Sequence, residues 1–438
     1  MKKRFWINGV FVPLALTIAV SGLAGCAALG SAGSVVMADI VRSDRPRLPA
    51  PPLDEARVPE LVKGNTAFAL DLYRALFAKE ENLFYSPYSL SAALAMAYAG
   101  ARGDTERQMA EVLHYTLPQP QLHPAFNALD QALVSEGEGE DEETLRQNSK
   151  QAFHLHITNA LWGQQGYSFL DAFLDTLAEN YDAGLRIVDF GQTEDTRHAI
   201  NGWASDQTEG RIQELLPPGV LNAETALVMT NAVHFKAAWM QAFPEDSTHD
   251  GAFTLLDGGQ VTAPMMEQAA QLGYAERPGV RAVEMPYAGG ELSMVILLPE
   301  ADTFEAFAQE LDARQLGAIL SDLKPTGVQL TMPKFRIDAR FELKDALMEL
   351  GMVDAFGEAD FSGMDGTHEL FIREVCHKAL LAVDEAGTEA AAASAVVMER
   401  KGPRVAQEVS IDRPFLFLIR DVETDTVLFL GHVVNPAA

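Results

Sequence analysis

The chain has 438 residues, 48% hydrophobic and 22% charged, which supplies a large core and excludes wholesale disorder. A formal net charge of −29, from 33 basic against 62 acidic residues, excludes a general attraction to nucleic acid phosphates or anionic lipid.

Residues 1–25 predict a secretion signal: Lys2, Lys3 and Arg4, an apolar stretch from Phe5 to Val20, then Leu23, Ala24 and Gly25. The tetrad ending in Cys26 is similar to a bacterial lipobox, which implies a lipid on Cys26, a membrane anchor and an exported cell-envelope lipoprotein. Ala27 is similar to the signal for an outer membrane, with the body at the cell surface or in the periplasm. An ordinary signal with a chance cysteine is the plain alternative. Cys376 is the only other cysteine, so a lipidated protein is expected to be stable without a disulfide.

Residues 26–60 hold RPRLPAPPLDEARVP, Arg45 to Pro59, and predict an extended proline-rich tether. From 61 to 438 the composition is even, without a second linker or an internal repeat, and predicts one domain. Phe68, Leu72, Ala75 and Leu76 share one helical face. Ser86 and Pro87 fit an N-cap and first helical position, with Gly100 as the stop. The acidic run EGEGEDEET, Glu136 to Thr144, predicts a solvated loop. Val283 to Pro299 predicts two strands about a Gly-Gly turn, and Phe415–Ile419 and Val427–Val434 predict buried strands. Helices first and strands later, without regular alternation, predict an α+β fold.

Enzyme signatures fail on inspection. The Gly-x-Ser-x-Gly turn, the P-loop and the dinucleotide glycine fingerprint are absent. His368 and Glu369 begin a zinc-protease motif, but Ile372 stands where the second ligand belongs. His154 and His156 share one side of a strand and lack an evident third ligand, so neither a metal nor a cofactor is expected. Cys376 and His377 are adjacent strand residues pointing to opposite faces, which argues against a nucleophile and base.

Several stretches in order resemble the serpin family: NLFYSPYSLSAALAMAYAGARGDTERQM (from Asn82), INGWASDQTEGRIQELLPPG (from Ile200), LVMTNAVHFKAAW (from Leu227), VEMPY (from Val283), MPKF (from Met332), VCHKALLAVDEAGTEAAAASAVV (from Val375) and VLFLGHVVNP (from Val427). The resemblance spans the body from about residue 61 to the end. It implies a large central β-sheet with further sheets, framed by helices, and an exposed reactive loop at about 385–410. It implies a monomer that is no enzyme. A target serine protease cuts the loop and forms a covalent acyl complex, and the severed loop then inserts into the sheet as a new strand.

Family positions transfer residue by residue. Ser86, Ser89, Asn231 and His377 match a polar cluster under the point where the sheet opens. Trp239, Lys334 and Glu385 match the place where insertion begins, with an ion pair expected between Lys334 and Glu385. Glu385, Gly387, Thr388, Glu389, Ala390, Ala391, Ala392, Ala393 and Ser394 match the hinge. If Thr388 faces the core, so do Ala390, Ala392, Ser394, Val396 and Met398, and that face carries no charge. The family spacing implies cleavage between Lys401 and Gly402, with Arg400–Lys401 or a cut after Arg404 as alternatives. Each selects a trypsin-like protease, whose primary pocket holds a carboxylate; Met398 would admit elastase-like or chymotrypsin-like enzymes. The expected function is suicide inhibition of trypsin-like serine endopeptidases, with cysteine proteases as a second class. The rival is a non-inhibitory serpin serving in surface binding or adhesion.

Overall fold

The structure is a computed structural model and describes residues 38–137, 153–388 and 405–438. Within them, sixteen strands form two sheets, accompanied by ten α-helices.

The seven-stranded sheet comprises β1 (Asp39–Val41), β3 (Phe153–Gln164), β4 (Leu185–Val188), β5 (Leu227–Ala238), β11 (Phe335–Glu342), β12 (Ile372–Val383) and β13 (Gly387–Thr388). Their order is β1-β4-β3-β5-β13-β12-β11. The second sheet holds β2 (Leu83–Tyr85), β6 (His249–Thr254), β7 (Gln260–Arg277), β8 (Val280–Pro286), β9 (Leu292–Pro299), β10 (Lys324–Pro333), β14 (Gln407–Ser410), β15 (Phe415–Asp421) and β16 (Val427–Val433). Its order is β14-β10-β7-β8-β9-β15-β16-β2, with β6 on β7. The longer helices are α1 (Val58–Leu76), α2 (Pro87–Tyr98), α3 (Gly103–Val112), α4 (Gln119–Gly137), α5 (Asp171–Tyr181) and α6 (Thr193–Gln207).

Local chemistry accounts for the elements that position the site. Ser86 Oγ accepts the Ser89 N–H at 3.3 Å and Pro87 opens the first turn, so α2 starts where a cap and a pre-set φ coincide. Every residue of α2 is buried, because it lies against α1 and strands of both sheets. That explains why its sequence carries no amphipathic stripe. Gly289 and Gly290 both have positive φ and turn β8 into β9, and β15 and β16 are buried at every position: the apolar runs Phe415–Ile419 and Val427–Leu430 require it, while Arg420, Asp421 and His432 are buried with hydrogen-bonding partners.

The expected tether ending at residue 60 needs correction. Residues 39–41 pair antiparallel with β4 at the sheet edge. Arg45 bridges Asp175 and Glu179, and Arg47 donates to Asn127 and Asp130. Helix α1 already begins at Val58. Prolines predict an extended chain, but an extended chain can equally lie along a body whose edge strand is open and whose helices offer carboxylates to arginine.

Histidines 154 and 156 occupy β3 register positions opposite Lys236 and His234. Among the described residues no group of three side chains could hold a metal. Of the acidic run, residues 138–144 lie outside the described residues.

Candidate functional site

Strands β5 and β12 run parallel and pair from Leu227 with Ile372 up to His234 with Leu380. Beyond that point they part, and β13 fills the gap. Thr388 stands opposite Ala237 of β5 and Val383 of β12, and Gly387 opposite Ala238. The chain leaves β12 and doubles back at once, because Asp384 Oδ1 accepts the N–H groups of Ala386 and Gly387 at 2.9 and 3.2 Å. Gly387 is required by close approach: a Cβ there would lie 2.1 Å from the Ala237 carbonyl oxygen and 2.8 Å from Ala238 Cα.

The mouth of this seam is built around the turn. Trp239 stacks on Tyr287 with centroids 4.6 Å apart, and its indole N–H donates to the Asp384 carbonyl at 3.0 Å. The Tyr287 hydroxyl is hydrogen-bonded to that of Thr388 at 2.8 Å, and Thr388 is fully buried. Lys334 Nζ donates to one Glu385 oxygen and the Thr248 hydroxyl to the other, both at 2.7 Å. Burial alone would raise the Glu385 carboxyl, yet these two donors hold it below the usual range. Trp239, Lys334 and Glu385 therefore do meet. Thr248 and Tyr287 were not singled out from sequence, although Tyr287 closes the quoted VEMPY stretch.

Lower down, a polar cluster fastens the closed seam. Asn231 of β5 and His377 of β12 are register partners. The Asn231 amide donates to Ser89 Oγ and to Asn159 Oδ1, while its oxygen is bonded to His377 Nδ1. His377 Nε2 accepts the Ser86 N–H at 3.3 Å, which assigns the ring proton to Nδ1. Ser86 Oγ donates to the Leu428 carbonyl at 2.7 Å, extending the cluster to the second sheet. Ser86, Ser89, Asn231 and His377 thus form one network. Asn159 joins it from β3, and no local signal in the sequence marks it.

Cys376 faces away from this network into a smaller apolar cluster with Trp162, Val228 and Leu380, so the strand alternation separates it from His377. Residues Glu389 to Ser394, Arg400, Lys401, Gly402 and Arg404, with Val396 and Met398, lie outside the described residues, as does Cys26.

Two expectations arise here. Asn231→Ala should leave the His377 N–H, Ser89 and Asn159 short of partners in a buried site. At about 1–3 kcal/mol for each stranded group, the loss is several kcal/mol, read as a lowered denaturant midpoint without a change of m-value. The second concerns acid. Burial pushes His377 down to about 3, and His123 and His432 down to about 4. These rings stay neutral in the folded state while the unfolded chain takes up protons near pH 6.5, so stability is full above that value and drains as pH falls toward 4. Each proton contributes about 1.4 kcal/mol per pH unit, giving a slope near 4 kcal/mol per unit around pH 5. Denaturant titrations between pH 7 and 4.5 measure it, and His432→Gln should remove about a third of the slope.

The central feature of the sheet is thus a parallel seam fastened by a buried side-chain network, with two residues of the following segment paired between its strands at the mouth. The profile described as "Serpin (serine protease inhibitor)" matches residues 63–436. A serpin-like protein of Thermococcus kodakarensis is 38% identical over 388 residues, covering 88% of each chain. The leukocyte elastase inhibitor of Xenopus laevis is 38% identical, covering 85% of this chain and 98% of its own. Among solved structures, the thermophilic serpin tengpin in its native state aligns with a TM-score of 0.79 at 26% identity, covering 91% of this chain and 100% of its own. Uncleaved ovalbumin aligns at 0.75 and 26%, covering 86% and 100%. The chain belongs to the serpin family.

Proposed function

We propose that the protein is a single-use inhibitor of trypsin-like serine endopeptidases, with cysteine proteases as a second class of target. The loop after Thr388 is cut at Lys401–Gly402, an acyl bond holds the protease, and the arm inserts between β5 and β12. Inhibitors named among the relatives support the class of partner.

The observation that carries the reading is the register of β13. Extending Thr388–Ala237 and Thr388–Val383 without a slip brings Ser394 opposite Asn231 on one side and His377 on the other. A hydroxyl would then arrive where the fastening hydrogen bond must be given up, so the two partners of the broken bond can be satisfied again. In the same register Ala390 and Ala392 meet the core face, and Glu389 comes opposite Lys236, which supplies its counter-charge. An unbroken run of small side chains lets the strand enter without prising the core apart.

Mixing the protein with trypsin tests this reading. A denaturant-stable complex of about the summed mass supports it, and a clean nick with fully active trypsin returns the protein to a binding or adhesion role. Mass spectrometry of the released C-terminal fragment should begin at Gly402. Lys401→Ala should cut the rate of trypsin inhibition by at least about a hundredfold, since the pocket carboxylate loses its cationic partner; unchanged inhibition would move the scissile bond to Arg400 or Arg404. We further propose export and anchoring through a lipid on Cys26. Metabolic labelling with a fatty acid analogue, lost in Cys26→Ala, checks it.

A further inference from the structure

A cavity of about 280 Å³ lies where β3 meets the helices packed against it. Half-buried Asn159 lines it from β3, Tyr88 from α2, Phe126 and Asp130 from α4, and Tyr181 from the end of α5. The N-terminal segment contributes Ile40 and Arg42. It fits closely there: a Cβ on Gly184 would lie 2.8 Å from Arg42 Cβ and 2.9 Å from the Val41 carbonyl oxygen.

The charges of the lining are already matched, Arg42 by Asp182 and Asp130 by Arg47. The Tyr181 hydroxyl is bonded to His123 Nδ1 at 2.7 Å, so Tyr181 contributes ring surface. Two polar groups keep spare capacity. Asp130 Oδ1 accepts the Tyr88 hydroxyl at 3.3 Å, long for an O–H···O bond. The Asn159 oxygen accepts from the Asn231 amide, but the Asn159 amide N–H groups have no hydrogen bond among the described residues. A charge-neutral cavity with three aromatic rings, one donor and one acceptor fits a neutral aromatic carboxamide. Its ring packs on Tyr88, Phe126 and Tyr181, its carbonyl accepts from Asn159, and its N–H donates to Asp130. A volume at the lower end of ligand sites limits it to one or two rings.

We propose that this cavity binds a small aromatic carboxamide and that its occupation holds the seam closed. Asn159 is the register partner of Asn231, and Asn231 that of His377, so one side chain joins the cavity to the fastening network. A carbonyl hydrogen-bonded to the Asn159 amide polarises it and makes its oxygen a better acceptor for Asn231. The ligand also touches α2 and α4 together with β3, so it favours the position that β3 holds while the seam is shut. The effect on protease trapping rests on the inhibitory reading above; the binding does not.

Indole-3-carboxamide serves as the probe, titrated onto the full chain by calorimetry. Saturable binding to a single site is expected. At saturation, hydrogen exchange of the backbone amides of β5 and β12 should slow at least about threefold, while those of β8 and β9 in the second sheet change less. Ala92, on α2, also lines the cavity, and Ala92→Leu should weaken the probe at least about tenfold by filling it. If that variant does not fold, Arg42→Ala on the exposed wall should weaken the probe about threefold. No saturable binding to the wild type, undiminished binding to the variant that folds, or equal protection of both sheets overturns the proposal. Saturating probe should also slow formation of the trypsin complex at least about threefold in the wild type, with little effect in Ala92→Leu. An unchanged rate with the cavity filled overturns the hold on the seam. A protein that never traps trypsin, with or without probe, strikes the inhibitory reading alone, and the exchange result then decides the cavity.

Discussion

Thr388→Arg is expected to abolish complex formation with trypsin while the loop is still cut at its normal rate. Thr388 is wholly buried between β5 and β12, with its hydroxyl on Tyr287, so the mutant must either bury a guanidinium or leave the mouth. An unpaired charge in such a place costs far more than the few hydrogen bonds that the first inserted residues contribute. The arm then stays outside, the acyl-enzyme hydrolyses, and trypsin is released active. We expect consumption of inhibitor to rise by at least about a hundredfold, corresponding to a loss of roughly 3 kcal/mol or more in the step that commits the arm. Thr388→Val keeps the volume and loses only the Tyr287 contact, so its effect should stay within a few-fold. Undiminished inhibition by Thr388→Arg would contradict the placement of Thr388 on the core-facing side.

Cleavage of the wild-type loop is expected to raise the melting temperature by about 10 °C or more. An arm of about ten residues entering between two strands, at roughly 1 kcal/mol net per hydrogen bond, contributes on the order of 10 kcal/mol. A body of this length unfolds with an entropy of about 0.8 kcal/mol/K by the usual scaling per residue, which converts that gain to about 12 °C. The comparison needs the nicked protein with its fragments still associated, measured beside the intact protein in one buffer. A nicked protein that melts no higher has not inserted its arm, and the seam would then be a closed sheet and nothing more. Gly387→Val should give a smaller gain than wild type. Its side chain would collide with the Ala237 carbonyl in the very register on which insertion builds.

Much of the site was legible through the family resemblance. Ser86 and Pro87 announce a helix start by themselves, whereas Ser89, Asn231, His377, Trp239, Lys334 and Glu385 came from matching family stretches, and the Asp384 turn was not read in advance. Strand alternation alone separated Cys376 from His377. Tyr287 and Asn159 escaped notice because nothing near them in the chain marks a role. One closes a strand end and the other sits in an ordinary strand, and both matter through what crosses from elsewhere. The tether was misjudged for a related reason: prolines report on backbone freedom and not on the carboxylates of α4 and α5 that hold Arg45 and Arg47.

Composition, capping residues and the period-two pattern after Thr388 determined an α+β body, the existence of its strands, and which face of the arm can be buried. Those properties depend on neighbours a few residues away, and the chain carries them wherever it folds. Tertiary structure alone decided that β5 and β12 close directly on each other below His234 and part above it, that two residues of the following segment already stand in the opening, and that Asn231 and His377 are register partners. Register between strands far apart in sequence is set by the packing of both sheet faces at once, and no single segment contains it.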